Sequence, residues 1–87
     1  MPHVWIPSLL RDLTNGQENI DVPGRTVRQV IEALESRYPG IKARLCIGDS
    51  LRAGIAAVVD SQVAQLGLVQ PVGPESEVHF LPALSGG

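Results

Sequence analysis

The segment Thr26 to Tyr38 constrains this chain most, because it reads as the one clear amphipathic helix in the sequence. Thr26 and Gln29 stand in the Thr-x-x-Gln spacing of a capping box, in which the hydroxyl accepts from the Gln29 backbone N–H and the Gln29 side chain reaches back. Val27, Val30, Ile31, Leu34 and Tyr38 follow at offsets of three and four, one stripe on one helical face. Arg28, Glu32, Glu35 and Arg37 fall on the other faces. Pro39 disfavours helical backbone at Tyr38 and so ends the run. The spacing predicts a helix over 27–37, and a lone helix with one apolar face needs a sheet to pack against.

The rest of the chain supplies strands. His3 to Ile6 is a short β-branched and aromatic run stopped by Pro7. Ser8 to Thr14 carries Leu9, Leu10 and Leu13, a helical turn or packed loop, and Asn15-Gly16 marks a turn. Glu18 to Val22 alternates polar and apolar residues as a half-buried strand does. Ile41 and Leu45 are spaced for a short turn against the core, and Gly48-Asp49-Ser50 reads as a loop. Ile55 to Val59 has the length of a buried strand, Asp60-Ser61 of a turn, and Gln62 to Ala64 of a short return. Glu77 to Leu81 is the last strand, with Val78 and Phe80 on one face and His79 on the other. Strand, strand, helix, strand, short strand, strand describes an α+β β-grasp: a mixed sheet covered by one main helix. The expected division is a domain over 1–81 and a flexible tail over 82–87. The expected core is Val4, Ile6, Ile20, Val22, Val27, Val30, Ile31, Leu34, Val58, Val78 and Phe80.

Size and composition narrow the function. At 87 residues, 44% hydrophobic and 18% charged, the chain has the composition of one small globular domain. It has little mass for an enclosed active site with a lid, which argues for a carrier, adaptor or small subunit rather than a self-sufficient enzyme. A single cysteine, Cys46, excludes an internal disulfide and a four-Cys metal or iron–sulfur site. Seven basic against nine acidic residues leave no polybasic footprint for nucleic acid or a membrane surface. No apolar run reaches the roughly 18–20 residues of a bilayer span, and no signal peptide is readable in MPHVWIPSLL. A reducing cytosol is the expected location.

Catalytic constellations fail one by one. His3 and His79 sit on terminal strands that this fold can make neighbours, yet no third ligand has metal-site spacing, so they read as sheet-surface imidazoles and no metal is expected. Cys46 lacks a Cys-x-x-Cys partner or a nearby His and reads as a buried or half-buried thiol. No serine stands in a G-x-S-x-G elbow, and Gly48-Asp49-Ser50 lacks the glycines and lysine of a phosphate loop.

The unusual feature is the Gly86-Gly87 ending. Residues without a Cβ fit a channel too narrow for any side chain. Six residues from Pro82 span at most about 20 Å, so a terminal carboxylate can enter another protein's active site while the domain stays outside. A carboxylate is a poor electrophile, and chemistry there requires activation as an acyl-adenylate by a separate ATP-using enzyme.

The ending Leu81-Pro82-Ala83-Leu84-Ser85-Gly86-Gly87 resembles that of the ubiquitin-like sulfur carrier proteins, which include the molybdopterin synthase small subunit and the thiamine-biosynthesis carrier. Gly24-Arg25-Thr26-Val27, Val30-Ile31, Leu34 and Tyr38-Pro39 are similar to the family's helix. Ile6 to Arg11, Thr14 to Gln17, Tyr38 to Ile41 and Arg44-Leu45 resemble the cysteine-biosynthesis branch. The loops at Leu51 to Ile55 and around Pro71, Gly73 and Pro74 depart from that branch.

The resemblance implies that Gly87 carries the adenylate and then a thiocarboxylate, that Gly86 permits entry to a partner's channel, and that Ser85, Leu84 and Ala83 form the recognised tail. His79 and Leu81 mark the expected docking surface. No cofactor is expected on the chain itself, ATP being used by the activating enzyme. The implied partners are that enzyme, with a pyridoxal-phosphate cysteine synthase and a zinc metalloprotease, or alternatively the molybdopterin synthase large subunit. A β-grasp interaction module or a ubiquitin-like protein modifier is the alternative of a different class.

Overall fold

The structure is a computed structural model, and residues 1–82 are described. The strands β1 (His3–Trp5), β2 (Asn19–Asp21), β5 (Ile55–Val59), β6 (Gln62–Val63) and β7 (Glu77–Pro82) form one sheet in the order β2-β1-β7-β5-β6. β1 and β7 run parallel at its centre, with His3 opposite Glu77 and Trp5 opposite His79. β2 pairs antiparallel with β1, and β5 antiparallel with β7. The helix α1 (Val27–Arg37) buries Val27, Val30, Ile31 and Leu34 on the β-grasp core. Its span is the one the stripe predicts.

The helix start differs from a reciprocal capping box by one residue. Thr26 Oγ1 accepts from the Gln29 N–H at 3.2 Å, but Gln29 Oε1 accepts from the N–H of Arg25, not of Thr26, at 2.8 Å. The strand-like neighbours of Thr26 explain the fit: Val27 N–H donates to Gln70 O and Val72 N–H to Arg25 O, so the segment around Pro71, which bridges to Thr26, locks both sides of the cap. Gly24 permits the approach. A Cβ there would lie 2.8 Å from Val30 N and 2.9 Å from Val30 Cγ2.

After Tyr38 and Pro39 the chain turns through Gly40, at φ 104°, into a second short helix, α2 (Ile41–Leu45). The Glu35 carboxylate holds this corner, accepting from Gly40 N–H at 3.1 Å and Lys42 N–H at 2.9 Å. A small hairpin follows, β3 (Cys46–Ile47) with β4 (Ser50–Leu51), where the sequence reads only as a loop. Ile41 and Leu45 are fully buried, as their spacing anticipates, and Leu10, Leu68 and Val72 join the core as well.

One expected core residue is corrected. Val58 is only half-buried, while Ala57 and Val59 are inside. The register explains it: Ala57 and Val59 stand opposite the inward Phe80 and Val78, and Val58 stands opposite outward His79. Every other residue of the expected core is buried. The last strand also includes Pro82, paired with Ile55, one residue past the expected 81/82 boundary. Beyond His79 the strand has left β1 behind, so the missing proline N–H removes no bond to that neighbour.

Candidate functional site at the end of the last strand

The tail residues implied by the resemblance, Ala83, Leu84, Ser85, Gly86 and Gly87, lie outside the described residues. The described chain fixes the surface from which they depart. β7 is the central strand, flanked by β1 and β5, so its direction is set by pairing on both sides. Its C-terminal end emerges beside the β1–β2 connection, where Ser8–Leu10 forms a 3₁₀ turn. That turn buries Leu10 and leaves Leu9 75% exposed. Leu81 is 45% exposed on the outer face of β7.

Between them lies a groove of about 150 Å³, lined by Pro7, Leu9, Leu10, Arg44, Ile55 and Pro82 among others. A second, shallower groove shares Pro7, Leu9, Leu81 and Pro82 and continues over Trp5 and His79. Two arginines fasten the loop that carries Leu9. Arg44 Nη2 donates to Leu9 O at 3.2 Å, and Arg11 Nε donates to Ile6 O at 3.2 Å.

His79 and Leu81, the two residues expected to mark the docking surface, both face outward from β7, and the grooves join them. Leu9, Pro7 and Arg44 belong to the same surface, and sequence reasoning missed them. The available signal was the pair Leu9-Leu10, since one turn of helix buries one member and exposes the other. Arg44 carried no signal, because its place depends on α2 packing 35 residues away in sequence from Leu9.

The two histidines do not meet. Trp5 lies between them, edge-on to His3 with ring centroids 5.2 Å apart and stacked on His79 at 5.5 Å. His3 Nδ1 is paired with Asp21 Oδ1 at 2.6 Å across the β1–β2 register. No group of three or more His, Cys, Asp or Glu among the described residues is arranged to hold a metal.

Cys46 is buried, and that burial pushes its thiol pKa up against the weaker opposing pull of Lys42 and Arg28. A thiol held protonated is a poor nucleophile. The nearby acids serve structure. Lys42 Nζ pairs with Glu32 at 2.8 Å, which raises the lysine pKa, and Glu35 is lowered by the backbone N–H groups of Lys42 and Gly40. The surface at the end of β7 is therefore apolar and edged by arginine, and no acid, base and nucleophile set is assembled among the described residues.

Comparison with known proteins places this architecture. The ThiS family model matches residues 4–87. The chain belongs to the ThiS family. Among curated relatives, the sulfur carrier protein CysO of Mycobacterium tuberculosis is 34% identical over 89 residues, covering 97% of this chain and 96% of that protein. Among solved structures, the Amycolatopsis orientalis BexX/CysO complex contains a chain that superposes with a TM-score of 0.92 at 35% identity, covering 100% of both chains. The small archaeal modifier protein 1 of Methanosarcina acetivorans superposes at 0.79 with 24% identity, covering 99% of this chain and 95% of that one, a likeness of fold. In this ThiS-family chain the β-grasp is therefore the family's fold, and its matched span runs through the Gly-Gly ending. No helix of the described residues is long and apolar enough to cross a membrane.

Proposed function

We propose that this chain is a sulfur carrier whose Gly87 carboxyl becomes a thiocarboxylate, with cysteine biosynthesis as its destination. The observation that carries the reading is the ThiS-family match extending to Gly87, joined to 34% identity with a sulfur carrier protein over nearly the whole chain. In the first step a separate ATP-using enzyme joins the Gly87 carboxylate to AMP, releasing pyrophosphate. A sulfur nucleophile then displaces AMP, forming the C–S bond as the C–O bond to phosphate breaks. Gly86 and Gly87 pass a narrow channel because neither has a Cβ, and Ala83, Leu84 and Ser85 are read by the channel's mouth.

The thiocarboxylate is nucleophilic through sulfur. It adds to an electrophilic aminoacrylate held by a pyridoxal-phosphate cysteine synthase, giving a thioester. Migration of the acyl group from sulfur to the amine gives an amide, and a zinc metalloprotease hydrolyses that amide, freeing cysteine and restoring the Gly87 carboxylate. The carrier contributes the acyl group and a docking face and binds no cofactor itself. These enzymes and the carrier share the cytosol in this reading.

The test is mass spectrometry of the C-terminal peptide. With ATP, the activating enzyme and a sulfide source, Gly87 gains the mass of sulfur replacing oxygen. Deleting Gly87, or appending one residue after it, abolishes the gain. With cysteine synthase and O-phosphoserine the thiocarboxylated chain gains a cysteinyl residue. A mass gain that survives removal of Gly87 overturns the carrier chemistry. Absence of the cysteinyl product, with sulfur passing instead to a pterin precursor on a molybdopterin synthase large subunit, overturns the cysteine assignment.

A further inference from the structure

The two edges of the sheet differ. At one edge β2 follows Glu18 and carries Asp21, whose carbonyl accepts from Arg37 Nη1 at 3.2 Å. At the other edge, β6 and the 3₁₀ turn Gly67–Val69 belong to a run, residues 61–74, with no Asp, Glu, Lys, Arg or His, in a chain of net charge -2. Val63, Leu66 and Val69 in this run are each more than half exposed. A shallow groove there is lined by Gln62, Val63, Gln65, Leu66 and Gln70. Sheet edges are ordinarily blunted by charge or by a covering group, and the described residues give β6 neither. Its backbone is open as well. Ala64 N–H donates to Ala57 O at 2.8 Å, and Val63 stands opposite Val58. Antiparallel pairs alternate between hydrogen-bonded and non-hydrogen-bonded positions, so the Val63 N–H and C=O turn away from β5 toward the open edge.

We propose that a second copy of this chain pairs here, β6 against β6 in antiparallel register, across a two-fold axis at Val63. A two-fold contact sets one surface against itself, so the partner's chemistry is the chemistry of this patch. Its backbone is self-complementary, because the axis brings the Val63 N–H and C=O to the C=O and N–H of the copy. Its polar side chains are too, since the amides of Gln62, Gln65 and Gln70 both donate and accept. Its lack of charge lets two net-negative copies meet with no like charges opposed. Burial of Val63 and Leu66 supplies the apolar part of the contact. A two-residue strand makes a small interface, so the pair is weak and depends on concentration. β5 stands between β6 and β7 in the sheet, and the proposal is independent of the carrier reading.

The test is sedimentation velocity of the full-length chain at concentrations from about 10 μM to about 1 mM, the range of weak association. The sedimentation coefficient rises with concentration toward that of a dimer. Val63→Lys weakens the association by roughly tenfold or more, because the axis sets two like charges opposite each other. Val63→Glu does the same. An equal mixture of the two variants associates again, because residue 63 then meets its opposite charge across the axis. Ser36→Lys, which adds the same charge at an exposed position of α1, leaves the association as it was.

A second measurement needs no variant. Hydrogen exchange at the Val63 amide of the unaltered chain slows as concentration rises, since that N–H gains a partner in the pair. A sedimentation coefficient constant over the whole range overturns the proposal and leaves the groove to a different partner. Association that survives both Val63 variants, or an equal loss in Ser36→Lys, overturns the seat at β6. A mixture of the two Val63 variants that stays monomeric, with both folded by circular dichroism, overturns the two-fold register, as does Val63 exchange that is the same at every concentration.

Discussion

Trp5 and His79 stack across the central parallel strand pair, with ring centroids 5.5 Å apart and planes 8° from parallel. They are register partners in β1 and β7, so the stack follows from strand pairing. Trp5 Nε1 also donates to Glu77 Oε1 at 3.1 Å, which fixes the indole along the strand. His79→Ala should cost about 0.5–1.5 kcal/mol, the range of an aromatic pair. Trp5 is the only tryptophan, so its emission reads this contact directly. An emission spectrum identical to wild type would show that the stack does not persist in solution.

Leu34 and Val58 make a paired test of the core. Leu34 is fully buried on α1 and Val58 half-buried on the outer sheet face. Leu34→Ala should cost about 2–5 kcal/mol. Val58→Thr keeps a β-branched side chain on a strand and should cost roughly 0.5 kcal/mol or less. Urea denaturation measures both. Equal losses would contradict the register that places Ala57 and Val59 inside.

The contrast between those two residues shows what was legible in the sequence. A helical stripe has a polar side, so Val27, Val30, Ile31 and Leu34 declared their face as well as their element. Ile55 to Val59 is apolar on both faces, which hides the phase of a period-two pattern, and the pattern alone cannot tell Val58 from its inward neighbours. The β3–β4 hairpin was unreadable because two-residue strands carry no periodicity. The Gly86-Gly87 ending stands out through composition alone, whereas the surface at the end of β7 joins Leu9, Arg44 and Leu81 from three distant segments, a juxtaposition only the packed fold makes.

Gly24 is the tightest backbone approach to the helix start. A methyl group there would meet Val30 N at 2.8 Å and Gln29 C at 3.1 Å, both backbone atoms that cannot rotate aside. Gly24→Ala should cost about 1–3 kcal/mol, the range of overpacking. Gly54→Ala is the comparison, since a Cβ there meets nothing within 4 Å and only the φ of 89° opposes it. A Gly24→Ala loss no larger than that of Gly54→Ala, read by thermal unfolding, would show that the helix start yields.

Two carboxylates are expected to contribute to the acid limb of stability. Asp60 is lowered below 3.8 by the Ser76 hydroxyl and the Glu77 N–H, and Glu35 below 4.5 by the Lys42 and Gly40 N–H groups. Near and below those ordinary values the unfolded chain takes up protons that the native chain does not. Their contribution is therefore complete above the ordinary values and is lost as pH falls through the lowered native ones. Glu35→Gln and Asp60→Asn should each flatten the fall in urea midpoint between about pH 5 and pH 2. A double variant with the wild-type acid limb would assign that limb to other groups.

The turn between β5 and β6 offers a stabilising change at the end of the sheet away from Pro82. Asp60 and Ser61 are its two residues, at φ 51° and 72°, the pair of positive angles that a type I′ hairpin requires. Aspartate tolerates this region, and Asp60 is also held by Ser76 and Glu77 at 2.7 and 2.9 Å. Ser61 makes no side-chain hydrogen bond among the described residues and is exposed, so it bears the left-handed cost with nothing to offset it. Ser61→Gly removes the Cβ clash, at the expense of a freer unfolded chain, and should stabilise the domain by about 0.5–1 kcal/mol. Asp60 N–H donates to Glu77 O at the start of β7, so the turn sits at the strand end away from Pro82. An unchanged rate of mass gain at Gly87 in the more stable domain would show that the chemistry there needs no looseness in the sheet. A lower melting temperature for Ser61→Gly would overturn the turn assignment.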